Sequence, residues 1–236
     1  MTKLKYLDNS YLYESNAAIL EFQENEKGKV LVLDETIFHP QGGGQPSDTG
    51  KIIFGNSLFE VQDVRMDDSG IIRHFGKVTT GKFQRGDNVI LQIDKDKRLL
   101  HARLHSAGHL LDCAVSMLGF DNLKPTKGCH FASGSFVEYD GVIPNQEETM
   151  KVLQTYVDDL IKQDLCIEKE FINAEKAIEM GIHLPGKEVV RVIQITGFPP
   201  CGCGGTHVNK TSEIGKIIIN KMKSKKGKTK INYFVT

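Results

Sequence analysis

The chain has 236 residues, 39% of them hydrophobic and 25% charged, which is length for one large or two small domains at roughly 150 residues each. This globular composition excludes a disordered chain, a collagen-like repeat and a cross-linked miniprotein. Formal charge is zero, with 30 basic and 30 acidic residues, but residues 214–236 hold seven lysines and no acid, so the first 213 residues carry minus seven.

In chain order, six short apolar-alternating segments come first, at 17–22, 29–33, 51–54, 58–64, 71–78 and 88–93. Their spacing predicts a small β-barrel or sandwich. Among them lies the loop HPQGGGQPSDTG at 39–50, whose three consecutive glycines (Gly42, Gly43, Gly44) leave backbone amides open to a ligand or make a wide turn. It is not a Walker A phosphate loop. Gln45 stands where that motif needs Gly, and Ile52 follows Lys51 where Ser or Thr is required.

From 96 to 118 the period becomes helical, with Leu100, Leu104, Ala107, Leu111, Val115 and Leu118 on one stripe and Gly119 as the stop. A hairpin is predicted at 127–131 and 135–139. A helix follows at 146–163, with Val152, Leu153, Tyr156, Val157, Leu160 and Ile161 facing inward. A strand at 166–171, a short helix at 173–180 capped by Asn173, and strands at 189–195, 213–220 and 231–235 complete the chain. The fold class is therefore α+β: a small N-terminal β-barrel domain over 1–95, then an α+β domain over 96–236. The seven C-terminal lysines either contact phosphates or form a solvated hairpin that guards a sheet edge.

No run approaches the ~18 apolar residues of a membrane span. Residues 1–16 mix charge and polarity where a signal peptide has an apolar centre. A cytoplasmic protein with no membrane association is expected. The odd set of five cysteines (Cys113, Cys129, Cys166, Cys201, Cys203) fits reduced thiols better than a disulfide framework.

The chemistry concentrates in two places. HSAGH at 105–109 puts His105 and His109 four residues apart on a predicted helix, on one face and one turn apart, where they can share a metal ion; His101 extends the series. Far along the chain, PPCGCGGTH at 199–207 offers Cys203 and His207 among glycines that let the backbone bend around an ion. Cys and His together are ligands that zinc prefers. Ser106 stands where a HExxH metalloprotease carries its glutamate, so peptide hydrolysis is disfavoured. Two options stay open at this point: a closed structural zinc, or a zinc that keeps a position for water or substrate.

The segments LHSAGHLL (104–111) and CGGTHV (203–208) resemble the HxxxH and CxxxH signature of the alanyl-tRNA synthetase editing domain and of the free-standing AlaX-type editing proteins. GGGQPSDTG (42–50) is similar to the glycine-rich motif of the medium-length form. The resemblance implies a zinc-dependent deacylase. It would hydrolyse the ester that joins a wrong amino acid, serine or else glycine, to the tRNA for alanine. No further protein partner is implied. Zinc would sit on His105, His109, Cys203 and His207, with Cys201 a competing sulfur and His207 either a ligand or an outer-shell residue. Thr126 stands where the family has a threonine that helps recognise the substrate amino acid. The loop of Gly42, Gly43, Gly44 and Gln45 is expected near the substrate end of the tRNA. The chain is too short to include the synthetase's activation domain, so editing without charging is expected, and no general base stands out.

Overall fold

Alternation of apolar and polar residues between Ala17 and Ile93 builds a closed barrel. In a computed structural model that describes residues 2–25, 28–120, 123–182 and 188–236, the chain is α+β. It divides into two units, Met1–Gly42 with Pro46–Leu100, and Gly43–Gln45 with His101–Thr236.

The first unit contains β1 (Lys3–Leu4), β2 (Glu14–Asn25), β3 (Gly28–Leu33), β4 (Glu35–Thr36), β5 (Gly50–Phe54), β6 (Ser57–Met66), β7 (Ile72–Thr80) and β8 (Asn88–Ile93). Six of these close in the order β2-β3-β7-β6-β5-β8, every pair antiparallel, while β1 and β4 form a short parallel pair. Ile19, Leu31, Leu33, Ile52, Phe59, Val61, Ile72, Val89 and Leu91 fill the interior. Register shifts in β2 and β6 add the local bend that closure of so small a barrel requires. Each of the six expected segments coincides with a barrel strand. The observed strands mostly run further, because ladder pairing continues past the hydrophobic runs.

The helix α1 (Lys95–Ser116) begins in this unit, its first turn capped by the Asp94 carboxylate, which accepts from the Lys97 amide at 3.1 Å. Arg98, fully buried, donates through Nε to both carboxylate oxygens of Asp48 at 3.1 Å and through Nη1 to the Ser10 carbonyl at 3.0 Å. Asp48 also accepts from the His39 amide at 2.6 Å and returns its own amide to the His39 carbonyl at 3.0 Å. The ion pair therefore closes the neck of the loop between residues 39 and 48. Breaking one side of a buried pair strands the other charge. Arg98→Met is expected to lower unfolding free energy by about 3–5 kcal/mol, read from urea titrations followed by circular dichroism.

The second unit holds the rest of α1, β9 (Lys124–Cys129), β10 (Ser135–Asp140), α2 (Gln146–Lys162), β11 (Ile167–Asn173), α3 (Ala174–Glu179), β12 (Val189–Ile195), β13 (Cys201–Gly202), β14 (Ile217–Lys225) and β15 (Lys228–Val235). They form two antiparallel sheets, β14-β15-β10-β9 and β11-β12-β13. The inner face of the four-stranded sheet buries Val137, Tyr139, Ile217, Ile219, Ile231 and Tyr233. α1 is buried on more than the expected stripe: Ala102, Leu110 and Ala114 are covered as well as Leu104, Ala107, Leu111 and Val115. A helix enclosed on several sides has no single polar face to reveal that in sequence.

Two sequence expectations need correcting. In α2, Leu153, Val157 and Leu160 face inward, but Val152 is exposed. Gln154 takes the place beside the sheet, donating to the Ile217 carbonyl at 2.8 Å and accepting from the Ile219 amide at 2.9 Å. The strand expected at 213–220 is also displaced. Thr211–Ile214 form a 3₁₀ turn anchored by the buried Thr211 hydroxyl on the Leu160 carbonyl at 2.8 Å, and β14 starts at Ile217 and runs on through the lysines. Pairing with β15 supports that extension, with Met222 inward and Lys221 and Lys223 outward. Among the described residues no helix is long and apolar enough to cross a membrane. All five cysteines are free thiols.

Candidate metal centre

The helical spacing of His105 and His109 places their rings on one face of α1, stacked with centroids 5.1 Å apart. The second cluster is delivered by β12 and β13, which pair through Ile193 and Cys201. Just beyond β13, the Cys203 amide donates to the Arg191 carbonyl at 3.0 Å. The buried Arg191 guanidinium donates to the Cys203 carbonyl at 2.6 Å. Cys203 is thereby clamped on both its backbone groups.

One nitrogen or sulfur from each of His105, His109, Cys203 and His207 lies within 4.8 Å of all the others. Cys203 Sγ is 3.4 Å from His105 Nε2 and 3.2 Å from His207 Nε2. Tetrahedral zinc, with bonds of about 2.0–2.3 Å, separates its ligand atoms by roughly 3.3–3.8 Å, so the set is close to the spacing that ion requires. Cys201, its sulfur 3.5 Å from His109 Nδ1, and the buried His101 are both outside the group of four.

The protonation pattern of His105 follows from a chain of hydrogen bonds. The Thr206 backbone amide donates to Gln45 Oε1 at 3.0 Å, and Gln45 Nε2 donates to the Thr206 hydroxyl at 2.9 Å, which fixes the orientation of the amide. His105 Nδ1 lies 2.9 Å from the same Oε1 and must therefore carry the proton. In the neutral ring this leaves Nε2 with a bare lone pair, aimed at Cys203. His207 is arranged in parallel, its Nδ1 3.5 Å from the Ser106 hydroxyl, which accepts from the Val208 amide at 3.1 Å. On His109, Nδ1 faces Cys201 and the Asp112 carboxylate, 4.0 Å away, while Nε2 is buried with no hydrogen-bond partner among the described residues. A buried orphan nitrogen is costly, and a cation bound by its lone pair removes the cost. One S–H proton cannot serve several lone pairs, so the donor set fits a divalent cation of zinc's character.

Electrostatics agrees with that reading. Burial holds the His109 imidazole down to about 4, with the Arg191 charge adding to it, and drives His207 well below its ordinary value. Both are thus neutral, the state that ligates. Burial pushes the Cys203 thiol up, partly opposed by the Gly205 amide and by Arg191, so a metal must supply the remaining pull for a thiolate. Burial also lifts Asp112 to about 7 against the hydrogen bond from Tyr139, whose hydroxyl donates at 2.6 Å.

Two glycines permit the approach of the parts. A Cβ on Gly205 would overlap the His105 ring, and one on Gly108 would press on His130 and on the Tyr233 hydroxyl. His130 was not anticipated from the sequence. It stacks on His105 at 4.3 Å, and its Nδ1 lies 2.7 Å from Tyr233 Oη, which donates onward to the Leu104 carbonyl at 2.9 Å. Burial holds it down to about 3. Nothing in the spacing around residue 130 signals this role.

The cluster opens into a cavity of about 290 Å³ lined by Gly43, His105, His109, Asp112, Thr126 and Cys203 among others. Thr126 is exposed on β9, and its hydroxyl donates to the Glu138 carbonyl at 3.2 Å. The glycine-rich loop is split in its placement. Gly42 and Gly43 are exposed, the Gly44 carbonyl accepts from the His130 amide at 2.8 Å, and Gln45 is fully buried behind His105. Gln45, expected at the substrate end, has no surface with which to touch one; it holds an imidazole. A second, more apolar cavity of about 420 Å³ shares His109, Asp112 and Pro125 with the first and is walled by Phe120, Ile193 and Phe198 among others.

Comparison with known proteins gives two family matches, one of which contains half of this cluster. Residues 7–97 match the family described as tRNA synthetases class II (A), and residues 190–232 match the threonyl and alanyl tRNA synthetase second additional domain. His105 and His109 fall between the two matches, and the Cys203 and His207 loop falls within the second. The alanyl-tRNA editing protein AlaX-M of Pyrococcus horikoshii is 34% identical over 226 residues, covering 92% of this chain and 89% of that protein. The alanine-tRNA ligase of Haloquadratum walsbyi is 31% identical over 223 residues, and that of Clostridioides difficile 33% over 199. The chain spans only 23% and 22% of the lengths of those two ligases.

Proposed function

Because the chain belongs to the AlaX-type alanyl-tRNA editing protein family, we propose that it is a trans-editing deacylase that hydrolyses the ester of mischarged tRNA for alanine, with serine as the principal wrong amino acid and glycine as a second. The observation that carries the reading is the grouping of His105, His109, Cys203 and His207, the first three of which line a cavity together with Thr126. The four residues would hold zinc, which when bound supplies a Lewis acid to the reaction. The chain's own residues do the rest. Gln45 keeps the His105 proton on Nδ1, and Asp112 stands on the Nδ1 side of His109, where a carboxylate orients such a ring. The smaller cavity takes the aminoacyl group, with Thr126 beside its side chain, and the apolar cavity next to it takes the terminal nucleoside.

The chemical problem is to spare alanine. A pocket built to hold a hydroxyl rejects a ligand that lacks it by roughly 10⁴, far more than an apolar pocket achieves against an added hydroxyl. Deacylation of Ser-, Gly- and Ala-tRNA for alanine, measured side by side, is expected to release serine fastest and to leave alanine attached at least about 100-fold longer. A metal-loaded, folded protein with no turnover on any of the three would instead mark a non-catalytic RNA-binding module whose zinc only fixes the fold.

A further inference from the structure

The outer face of the four-stranded sheet carries an arrangement that stability alone disfavours. In the β14–β15 register, Lys223 lies directly opposite Lys230, and Lys225 directly opposite Lys228. Like charges facing one another across a ladder are destabilising. The inner side of the same two strands is ordinary core, with Ile217, Ile219, Ile231 and Tyr233 buried. These lysines line a trough of about 700 Å³, and Glu138 is the one acid lining it among the described residues, paired with Lys228 at 3.2 Å. Two crowded lysine pairs with one carboxylate between them suit a polyanion.

The face is not uniformly charged. Phe136 of β10 sits in it, half-buried, with Lys230 Nζ 3.3 Å above its ring and Lys127 Nζ 5.9 Å from it. An aromatic ring on a sheet face among cations is the composition with which proteins receive single-stranded nucleic acid, stacking bases and neutralising phosphates together. Lys127 links this face to the chemistry, since it also lines the cavity that holds His105, His109 and Cys203. Its neighbour Thr126 lies 3.5 Å from the Glu138 carboxylate that pairs with Lys228.

We propose that this lysine-faced sheet is the track for the phosphodiester backbone of the RNA strand whose 3′ end enters the cavity, with Lys223, Lys225, Lys228 and Lys230 on its phosphates and Phe136 against a base. The assignment rests on the deacylase reading for its direction along the sheet, and on charge and register for its existence.

The test compares the full-length protein with K223Q/K225Q/K228Q/K230Q and with a control that neutralises four exposed lysines elsewhere, K77Q/K82Q/K151Q/K162Q. Binding of uncharged tRNA bearing its full 3′ end is measured from 50 to 300 mM salt, with circular dichroism to establish folding. The slope of log affinity against log salt is expected to become shallower by about 3 in the sheet variant and to change little in the control. Affinity at 50 mM salt should fall at least tenfold, and on Ser-tRNA the loss should appear in KM, with kcat within about twofold. An unchanged slope would overturn the proposal. So would an equal loss in the control, or a set of lysines that matters only for vesicles of mixed phosphatidylserine and phosphatidylcholine. Should the parent protein prove inactive on Ser-tRNA while the slope falls as expected, the deacylase reading fails and the RNA track stands.

Discussion

Cys203→Ala is expected to be isolated folded but without metal, and to deacylate Ser-tRNA no faster than buffer. Cys203 is the sulfur nearest both His105 Nε2 and His207 Nε2, at 3.4 and 3.2 Å, so its removal takes away the anionic ligand and opens two contacts at once. Cys201 is outside the group of four, its sulfur 3.5 Å from His109 Nδ1. The loss should exceed the roughly 10–100-fold that accompanies changes behind a metal ligand. Metal content by elemental analysis, circular dichroism and single-turnover deacylation together check it. A Cys203→Ala protein that retained stoichiometric metal and turnover would move the sulfur ligand to Cys201 or remove it from the account. Cys201→Ala is the companion variant, expected to keep both.

Gly205→Ala adds a single methyl group and is expected to behave like a lesion of His105. The new Cβ would occupy the space of the His105 ring and crowd Gln45 Oε1, so the ring must turn or the loop must lift. Either movement separates His105 from Cys203. Gln45→Leu probes the same contact from the other side, removing the acceptor that keeps the His105 proton on Nδ1 while preserving volume. It should weaken metal binding by about 10–100-fold, and it also leaves the Thr206 amide without its acceptor. Competition against a calibrated chelator measures both affinities without reference to turnover. Parent-like affinity in Gly205→Ala and Gln45→Leu would show that the His105 geometry does not control metal binding.

Much of the barrel was legible because a half-buried strand states its inner face in every second residue, as Ile19, Leu31, Leu33, Val89 and Leu91 do. The two halves of the candidate site were legible for a related reason. Four-residue spacing on a helix fixes a common face for His105 and His109, and the glycines around Cys203 and His207 announce a loop that bends sharply. Other features depend on contacts between distant parts of the chain. Gln45 meets Thr206 across 161 positions, and Tyr233 meets His130 across 103, so no local pattern records either contact. The shift of β14 had a different origin. The run of lysines after Asn220 reads as phosphate contacts or as a solvated hairpin at a sheet edge, and pairing with β15 carries the strand through it, because the apolar partners Met222 and Ile231 supply the inner face. The three-glycine loop reads as backbone open to a ligand or as a wide turn, and neither reading foretells that Gly44 and Gln45 support His130 and His105.

The proposed centre holds one divalent cation jointly on a turn of α1 and the loop after β13. The most direct measurement is the metal content of the parent protein, purified without added metal and without an affinity tag that binds one, followed by X-ray absorption at the edge of whatever metal is found. One zinc per chain with three nitrogens or fewer and a single sulfur in its shell is the predicted result. A protein free of metal yet fully active, or a shell containing two sulfurs, would contradict it.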